Sequence, residues 1–182
     1  MTGEAYLASD DSALLREALR SYSGGSCLEI GAGNGGNLIV LSSRFGVALG
    51  TDLVRPRMRD WEDGRTDYVL ADGASCLRDS CFDLVAFNPP YLRTEGIADR
   101  TVEGGPGLEV PMNFLREALR VVRPSGRVVL LLNDDADEED FKQECLRMGF
   151  GFRRVASRRV FFEELSVFEA SGPEVPRSQF ER

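Results

Sequence analysis

Four short apolar segments of the chain end, one after another, in glycine-rich or polar residues. The first, Cys27–Ile30, runs into the turn Gly31–Gly36, and later ones end at Asp52, Asp72 and Asn88. Alternation of such segments with helical patterns predicts a doubly wound α/β fold with a mainly parallel sheet. Ligands in these folds bind at the carboxyl ends of the strands. We therefore expect all four stretches to line one crevice.

The predicted sheet has seven strands, of which the last two differ from the others. These two, near Phe152–Ser157 and Leu165–Ala170, follow one another without a helix between them, so they should pair antiparallel at one edge. Arg123–Gly126 is predicted to turn the chain into the apolar strand Arg127–Leu132. Apolar residues at helical spacing predict four helices: Ser12–Tyr22, a segment reaching Phe45, Leu108–Val122 and an acidic segment ending at Met148.

Length and composition predict a single domain. The chain has 182 residues, and we expect one domain over residues 1–170 followed by a Pro-rich, charged and flexible tail over 171–182. The N-terminus lacks the basic and apolar regions of a signal peptide, and no apolar run approaches membrane-spanning length, so we expect a cytoplasmic protein without a membrane partner.

Charge and residue usage exclude several classes of site. The net charge of −8 disfavours binding to duplex nucleic acid, although arginines cluster within Arg153–Arg159. The chain has no histidine, which excludes a Ser-His-Asp or Cys-His catalytic centre. Its four cysteines form no C-x-x-C pair, so we expect no metal site.

The glycine-rich turn is typical of a strand-to-helix loop that approaches a ligand closely. Gly31, Gly33 and Gly35 follow a strand and precede a helix, whose first N–H groups point toward the loop. Their spacing is G-x-G-x-G rather than the dinucleotide pattern, and Glu29 stands just before the first glycine. A carboxylate there suits a cationic, phosphate-free cofactor better than a pyrophosphate. A plain tight turn is the alternative interpretation.

Two aspartates at later strand ends extend the predicted cofactor site. Asp52 follows the glycine turn by about twenty residues, where a carboxylate accepts hydrogen bonds from ribose hydroxyls. Asp72 can accept a hydrogen bond from an adenine amino group. Their neighbours Leu53 and Gly73 are assigned to the same site. Each aspartate alone could be an ordinary turn residue, but the ordered series along successive strands indicates a nucleoside-containing cofactor.

The stretch Asn88-Pro89-Pro90-Tyr91 follows the apolar strand Phe82–Phe87 and predicts a stiff corner. Each proline fixes its own φ and biases the residue before it toward extended geometry. Carbonyl groups at such a corner are not consumed by a helix, and a carboxamide and an aromatic ring stand beside them. The corner can therefore hold a planar amide or amidine-like group, which indicates the catalytic site of a methyltransferase.

These motifs together resemble one family. The corner Asn88–Tyr91 is similar to that of methyltransferases acting on planar exocyclic or amide nitrogens. Tyr6–Leu15 resembles the tyrosine, acidic-pair and leucine pattern that opens the short HemK-like release-factor glutamine methyltransferases of archaea and eukaryotes. Glu103–Val110 resembles their glycine-rich segment, and Ser157–Arg159 with Glu164–Val167 resembles their final hairpin.

The resemblance implies a Rossmann-like class I methyltransferase that uses S-adenosyl-L-methionine. It implies as substrate the glutamine amide in the Gly-Gly-Gln motif of a class I translation release factor. The Asn88 side chain and the Pro89 carbonyl would accept the two amide N–H groups, and Tyr91 would pack against the amide plane. Pro90 would complete the substrate site, Asp11 would lie at its mouth, and Asn88 would also contact the cofactor.

The resemblance covers roughly residues 6 to 170 and departs from the family at Ala8, where members have proline. The chain has no room for the N-terminal helical domain of bacterial HemK enzymes, which favours the short branch. Enzymes of this branch often depend on a small zinc-binding activator protein that covers an apolar patch. Such an activator is therefore an expected partner.

Three other functions remain open at this point. An NPPY corner also suits the exocyclic amine of adenine or guanine in RNA or DNA, which the acidic charge disfavours. A non-catalytic cofactor-binding module is a second alternative, disfavoured by the intact corner. A nicotinamide-dependent reductase is a third, disfavoured by the glycine spacing and by Glu29.

Overall fold

The computed structural model describes residues 10–54, 65–89, 109–134, 136–160 and 163–173. Side chains at the N-terminal end are described from Ser12 onward, so the side chain of Asp11 lies outside the described part, as do Pro90, Tyr91 and the tail from residue 174. The elements are α1 (Asp10–Leu19), β1 (Gly24–Ile30), α2 (Gly36–Ser42), β2 (Phe45–Asp52), β3 (Thr66–Leu70), β4 (Phe82–Phe87), α3 (Glu109–Val121), β5 (Val122–Asn133), α4 (Glu138–Arg147), β6 (Gly151–Val160) and β7 (Glu163–Ser171).

The described strands form one seven-stranded sheet in the order β3-β2-β1-β4-β5-β7-β6. Strands β1 to β5 pair in parallel, while β7 runs antiparallel to both β5 and β6. The predicted mostly parallel sheet with a C-terminal antiparallel hairpin is thus confirmed. The second strand of the hairpin, β7, pairs with β5, so the first strand, β6, forms the outer edge of the sheet.

Alternating side chains of the central strands build a core on each face of the sheet. In β4, Leu84 and Ala86 pack with Leu15 of α1 and Leu38 of α2. Val85 and Phe87, on the opposite face, belong to the cluster that includes α3 and α4 side chains. This period of two is what a strand buried on both faces requires.

Several predicted boundaries differ from the structure, among them the end of the first helix, which is Leu19 rather than Tyr22. Two differences change the type of element. The prediction that the second helix reaches Phe45 was wrong, because α2 ends at Ser42 and Phe45 opens β2 opposite Gly24 of β1. The predicted turn at Arg123–Gly126 lies inside β5, where the pairing with β4 shifts register. The Arg123 side chain there pairs with the Asp83 carboxylate, which also accepts two backbone N–H groups of β1.

Helices in the described residues are too short or too polar to cross a membrane. The described residues also contain no group of three or more potential metal ligands.

Candidate cofactor and catalytic site

The sheet register brings three predicted motifs to the same edge. Ile30, the last residue of β1, pairs with Thr51 of β2 and with Phe87 of β4. The carboxyl ends of these parallel strands therefore meet side by side. The residues that come next in each strand or loop are Gly31, Asp52 and Asn88.

The loop after β3 joins this edge. Asp52 pairs with Leu70, the last residue of β3, and the N–H of Ala71 donates to the Asp52 carbonyl at 2.9 Å. Asp72 follows and is exposed, and its carbonyl accepts from the Ser75 hydroxyl at 2.7 Å. All four predicted stretches thus lie at the carboxyl ends of neighbouring strands, as expected.

The glycine turn has the backbone geometry that glycine allows. Gly31, Gly33 and Gly35 adopt positive φ of 69°, 51° and 73°. The N–H groups of Gly31 and Ala32 donate to the Thr51 carbonyl, at 2.8 and 3.0 Å. Those of Gly33 and Gly35 are bonded within the protein as well, to Asp52 and to the Ala32 carbonyl. Since these N–H groups already have acceptors, the turn is poorly suited to hold a pyrophosphate.

Glu29 spans the base of this turn from β1 to α2. Its side chain is buried, and its Oε1 accepts from the Asn37 amide at 2.8 Å. Burial raises the pKa of the Glu29 carboxyl to about 8, against the lowering effects of the Asn37 hydrogen bond, a Leu38 backbone hydrogen bond and the Arg16 charge. The contacts of Glu29 are those of a residue that holds the turn.

The Asp52 carboxylate lies between the glycine turn and the start of the next loop. Its Oδ2 accepts from the Gly33 N–H at 2.8 Å and its Oδ1 from the Val54 N–H at 3.0 Å. Leu53, between them, is exposed. Asp52 is thus fixed in orientation at the carboxyl end of β2.

The corner that the sequence predicts to be catalytic begins where β4 ends. Asn88 is half-buried and Pro89 is buried. Phe87, just before them, packs edge-on against Phe114 of α3 with ring centroids 6.1 Å apart. The predicted roles of Pro90, Tyr91 and the Asp11 side chain fall outside the described residues.

The predicted site residues are supported by three further side chains, Asn37, Phe114 and Glu117. Asn37 holds Glu29, and its place just after the glycine turn was the available signal. Phe114 lies 3.4 Å from the position that a Cβ would take at Gly31, and Glu117 contacts the loop after Asp72. These two belong to α3, far from the loops in sequence, so spacing could not have revealed them.

None of the protein-family models searched matches the chain. Among curated proteins, it is 26% identical over 182 residues to a protein of Methanocaldococcus jannaschii named provisionally as a protein N5-glutamine methyltransferase. That alignment covers 92% of this chain and 91% of the relative. The predicted resemblance is confirmed.

Solved structures agree on the fold. A chain of the E. cuniculi Mtq2–Trm112 complex, which is responsible for methylation of the translation termination factor eRF1, superposes with a TM-score of 0.77 at 24% identity, covering 92% of this chain and 98% of that chain. The T. thermophilus 16S rRNA N2 G1207 methyltransferase RsmC, solved with AdoMet and guanosine, gives 0.64 at 23% identity, covering 94% of this chain and 45% of RsmC. The chain has the class I methyltransferase fold.

The arginine cluster of β6 is largely neutralised within the protein. Three of its guanidinium groups form ion pairs with carboxylates of other elements. One of these carboxylates, that of Glu169, is buried. A cluster paired in this way offers less positive charge to a nucleic-acid backbone than its sequence indicates. The pairs are Arg153–Glu169 at 2.8 Å, Arg154–Glu138 at 2.7 Å and Arg158–Glu17 at 2.8 Å.

Proposed function

We propose that this protein is an S-adenosyl-L-methionine-dependent methyltransferase that methylates the side-chain amide nitrogen of a glutamine in a class I translation release factor. The observation that carries the proposal is the shared register of β1, β2 and β4. It sets the Asn88-Pro89 corner beside the glycine turn and the Asp52 carboxylate. A donor cofactor and a planar acceptor amide would then meet at one edge of the sheet.

The residues at this edge fit the proposed cofactor. Asp52 and Asp72 supply carboxylates for ribose hydroxyls and for the adenine amino group, and Gly73 and Leu53 flank them. The glycine turn uses its N–H groups internally, which suits a cofactor without phosphates. The same observation weighs against the nicotinamide-dependent alternative.

When bound, S-adenosyl-L-methionine supplies an electrophilic methyl group on a positively charged sulfonium. An amide nitrogen is a weak nucleophile because its lone pair is delocalised, so orientation must supply much of the acceleration. The Asn88 carboxamide oxygen and the Pro89 carbonyl would accept the two N–H groups of the glutamine and so fix the orientation of its amide. Tyr91, which lies outside the described residues, is the proposed contact of the amide plane. Asn88 cannot act as a general base, and its role is positioning and electrostatic.

A protein substrate is supported by four observations. The net charge is −8, and arginines of the β6 cluster pair with Glu169, Glu138 and Glu17. The M. jannaschii relative is named for glutamine methylation, and the Mtq2–Trm112 complex methylates a termination factor. The Gly-Gly-Gln motif is the expected target within the factor. We place the reaction in the cytoplasm, which fractionation of cells would test.

Methylation of a guanine or adenine amine is the second candidate. The likeness to RsmC, a 16S rRNA guanine N2 methyltransferase solved with guanosine, favours it. The paired arginines disfavour it.

A small zinc-binding activator protein completes the proposal. Strand β3 forms one end of the sheet, and apolar side chains on and near it are exposed, a surface we call the β3 apolar patch. An exposed strand edge with apolar residues commonly binds another chain. The patch consists of Leu53, Val54, Val69 and Leu70.

The decisive experiment is transfer of labelled methyl from S-adenosyl-L-methionine to a purified class I release factor, with and without a Trm112-like protein. A factor with its Gly-Gly-Gln glutamine replaced, total RNA and total DNA serve as parallel acceptors. We expect label in the intact factor alone. Label in RNA or DNA would support the second candidate, and binding of cofactor with no transfer to any acceptor would contradict both.

A further inference from the structure

Side chains of α3 bind the loop that follows β3. They form hydrogen bonds with both the backbone N–H and the backbone carbonyl of one loop residue, Ala74. The N–H of Ala74 donates to Oε2 of Glu117 at 2.5 Å, and the carbonyl of Ala74 accepts from Nη2 of Arg120 at 2.9 Å. Glu117 and Arg120 are three residues apart on α3, so they lie on one face of the helix. Ala74 is fully buried, and no backbone group of this residue needs another partner.

Arg120 also holds the far end of the same loop. Its Nη1 donates to the Leu77 carbonyl at 2.8 Å and to Oδ1 of Asp79 at 2.7 Å. A guanidinium group presents several donors in a rigid plane, so one side chain can fix several points of a loop. Residues 74 to 79 are therefore attached to α3 at three positions.

The carboxylate of Glu117 also explains why residue 73 is glycine. Gly73 has a φ of 60°, which L side chains rarely adopt. In addition, the Glu117 carboxylate occupies the place where a Cβ on Gly73 would lie. Gly73, which immediately follows Asp72, thus lies directly against the Glu117 carboxylate.

The same helix supports the glycine turn. The Phe114 ring, one turn before Glu117, lies 3.4 Å from the Cβ position of Gly31 and packs edge-on against Phe87. One face of α3 therefore backs the glycine turn, the end of β4 and the loop after β3. Two of these three contacts are apolar, whereas the loop is held by charged groups.

We infer that Glu117 and Arg120 are positioning residues, which fix the loop of residues 72–79 so that Asp72 and the backbone beside it recognise the adenine amino group of the cofactor. This inference rests on the proposed function. Asp72 is exposed and belongs to a loop, so the loop's anchors determine its position. Recognition of a planar group needs donors and acceptors held within a fraction of an ångström. Glu117 and Arg120 supply that constraint without touching the cofactor.

The experiment compares two ligands that differ at one position of the base. S-adenosylhomocysteine carries the adenine amino group, and its 6-oxo analogue, with inosine in place of adenosine, carries a carbonyl oxygen there. Calorimetric Kd values for both ligands give a discrimination ratio for each protein. Melting temperatures are measured in parallel. A merely structural anchor would change stability and both affinities together, whereas a positioning residue changes the ratio.

Glu117→Ala and Arg120→Met are the test variants. We expect S-adenosylhomocysteine to bind about tenfold more weakly to each, with the affinity for the 6-oxo analogue changed less than about threefold, so that the ratio falls toward one. Glu117→Gln keeps an acceptor for the Ala74 N–H and should restore the wild-type ratio. Arg116→Ala is the matched control, because Arg116 pairs with Glu144 of α4 at 2.8 Å and not with the loop.

Each outcome decides the inference. If Glu117→Ala and Arg120→Met keep the wild-type ratio, the anchors are structural only and the inference is wrong. Should Glu117→Ala fail to fold, Arg120→Met gives the same decision, because it removes the contacts of α3 with Ala74, Leu77 and Asp79. Equal binding of both ligands by the wild-type protein would also overturn the inference while leaving the proposed function standing. Absence of S-adenosylhomocysteine binding by the wild-type protein would instead refute the proposed function itself.

Discussion

The backbone N–H of Gly33 donates a hydrogen bond to Oδ2 of Asp52 at 2.8 Å. This contact ties the glycine turn after β1 to the end of β2, two elements of the site that are nineteen residues apart in the chain. Asp52 also accepts from the Val54 N–H, so its carboxylate orders the turn on one side and the following loop on the other. Because Asp52 orders both segments, its substitution should disturb the proposed cofactor site.

Replacing Asp52 is expected to weaken cofactor binding. Asp52→Ala removes the acceptor for Gly33 and the proposed acceptor for ribose, and hydrogen bonds to charged groups contribute about 1.5–3 kcal/mol each. The Kd for S-adenosylhomocysteine, measured by calorimetry, should rise at least about tenfold. Asp67→Ala, an exposed carboxylate on β3, should bind as the wild type does. Unchanged affinity in Asp52→Ala would contradict the placement of the ribose.

Asn88 is expected to govern transfer rather than cofactor binding. Asn88→Ala removes the carboxamide oxygen that orients the substrate amide, and loss of one such group typically lowers kcat by about 100-fold or more. We expect single-turnover methyl transfer to fall by that amount, with the Kd for S-adenosylhomocysteine within about threefold of wild type. Normal turnover in Asn88→Ala would remove the catalytic assignment.

The sequence predicted the sheet and the strand ends well because both depend on local patterns. Apolar runs such as Phe82–Phe87 are short, and polar residues end them, so their place in a parallel sheet and the edge where ligands bind follow directly. The end of the second helix was harder to place. Phe45 is an apolar residue that continues a helical pattern, and only its pairing with Gly24 makes it part of a strand.

Contacts between distant segments could not be predicted. Glu117 and Ala74 are separated by 43 residues, and nothing in the spacing of α3 distinguishes Glu117 from a solvated helical glutamate. The β6 arginines are a similar case, since their neutralisation by Glu169 and Glu17 depends on tertiary packing. Side-chain partners of this kind require the three-dimensional arrangement, whereas strand ends do not.

Glu29 should make stability depend on pH in a specific direction. Burial raises its pKa to about 8 in the folded protein from an ordinary value of 4.5. The folded state therefore binds this proton more tightly, and the resulting stabilisation is complete below about pH 4.5 and is lost as the pH rises through about 8. Glu29→Gln lacks the titration. We expect the difference in free energy of unfolding between wild type and Glu29→Gln to fall with pH by at most about 1.4 kcal/mol per unit.

Urea unfolding at a series of pH values between 5 and about 9 measures this difference. Because Arg16 and Asp52 are present in both proteins, their charges cancel to first order. A difference that stays constant, or that increases with pH, would contradict a raised pKa for Glu29.

Buried and exposed carboxylates of the ion pairs should differ in their contribution to stability. Glu169 is buried, accepts from the Tyr22 hydroxyl at 2.7 Å and pairs with Arg153 at 2.8 Å. Glu169→Ala leaves the Tyr22 hydroxyl without its acceptor, whereas the exposed Arg153 becomes solvated, so we expect it to lower the free energy of unfolding by about 1–3 kcal/mol. Glu138 pairs with Arg154 at the surface, so Glu138→Ala should lower the free energy of unfolding by less than about 1 kcal/mol. Similar values for both variants in urea unfolding would show that burial does not set the difference.

The β3 apolar patch should determine association with the proposed activator. Leu70 is 58% exposed on the end strand of the sheet, so Leu70→Asp should fold normally while placing an unpaired charge in any interface formed there. Burying such a charge costs several kcal/mol, enough to prevent stable association. We expect Leu70→Asp to abolish co-purification with a co-expressed Trm112-like protein. Leu146→Asp is the matched control, because Leu146 of α4 is 51% exposed and lies outside the patch. Equal co-purification of the two variants would place the activator on another surface.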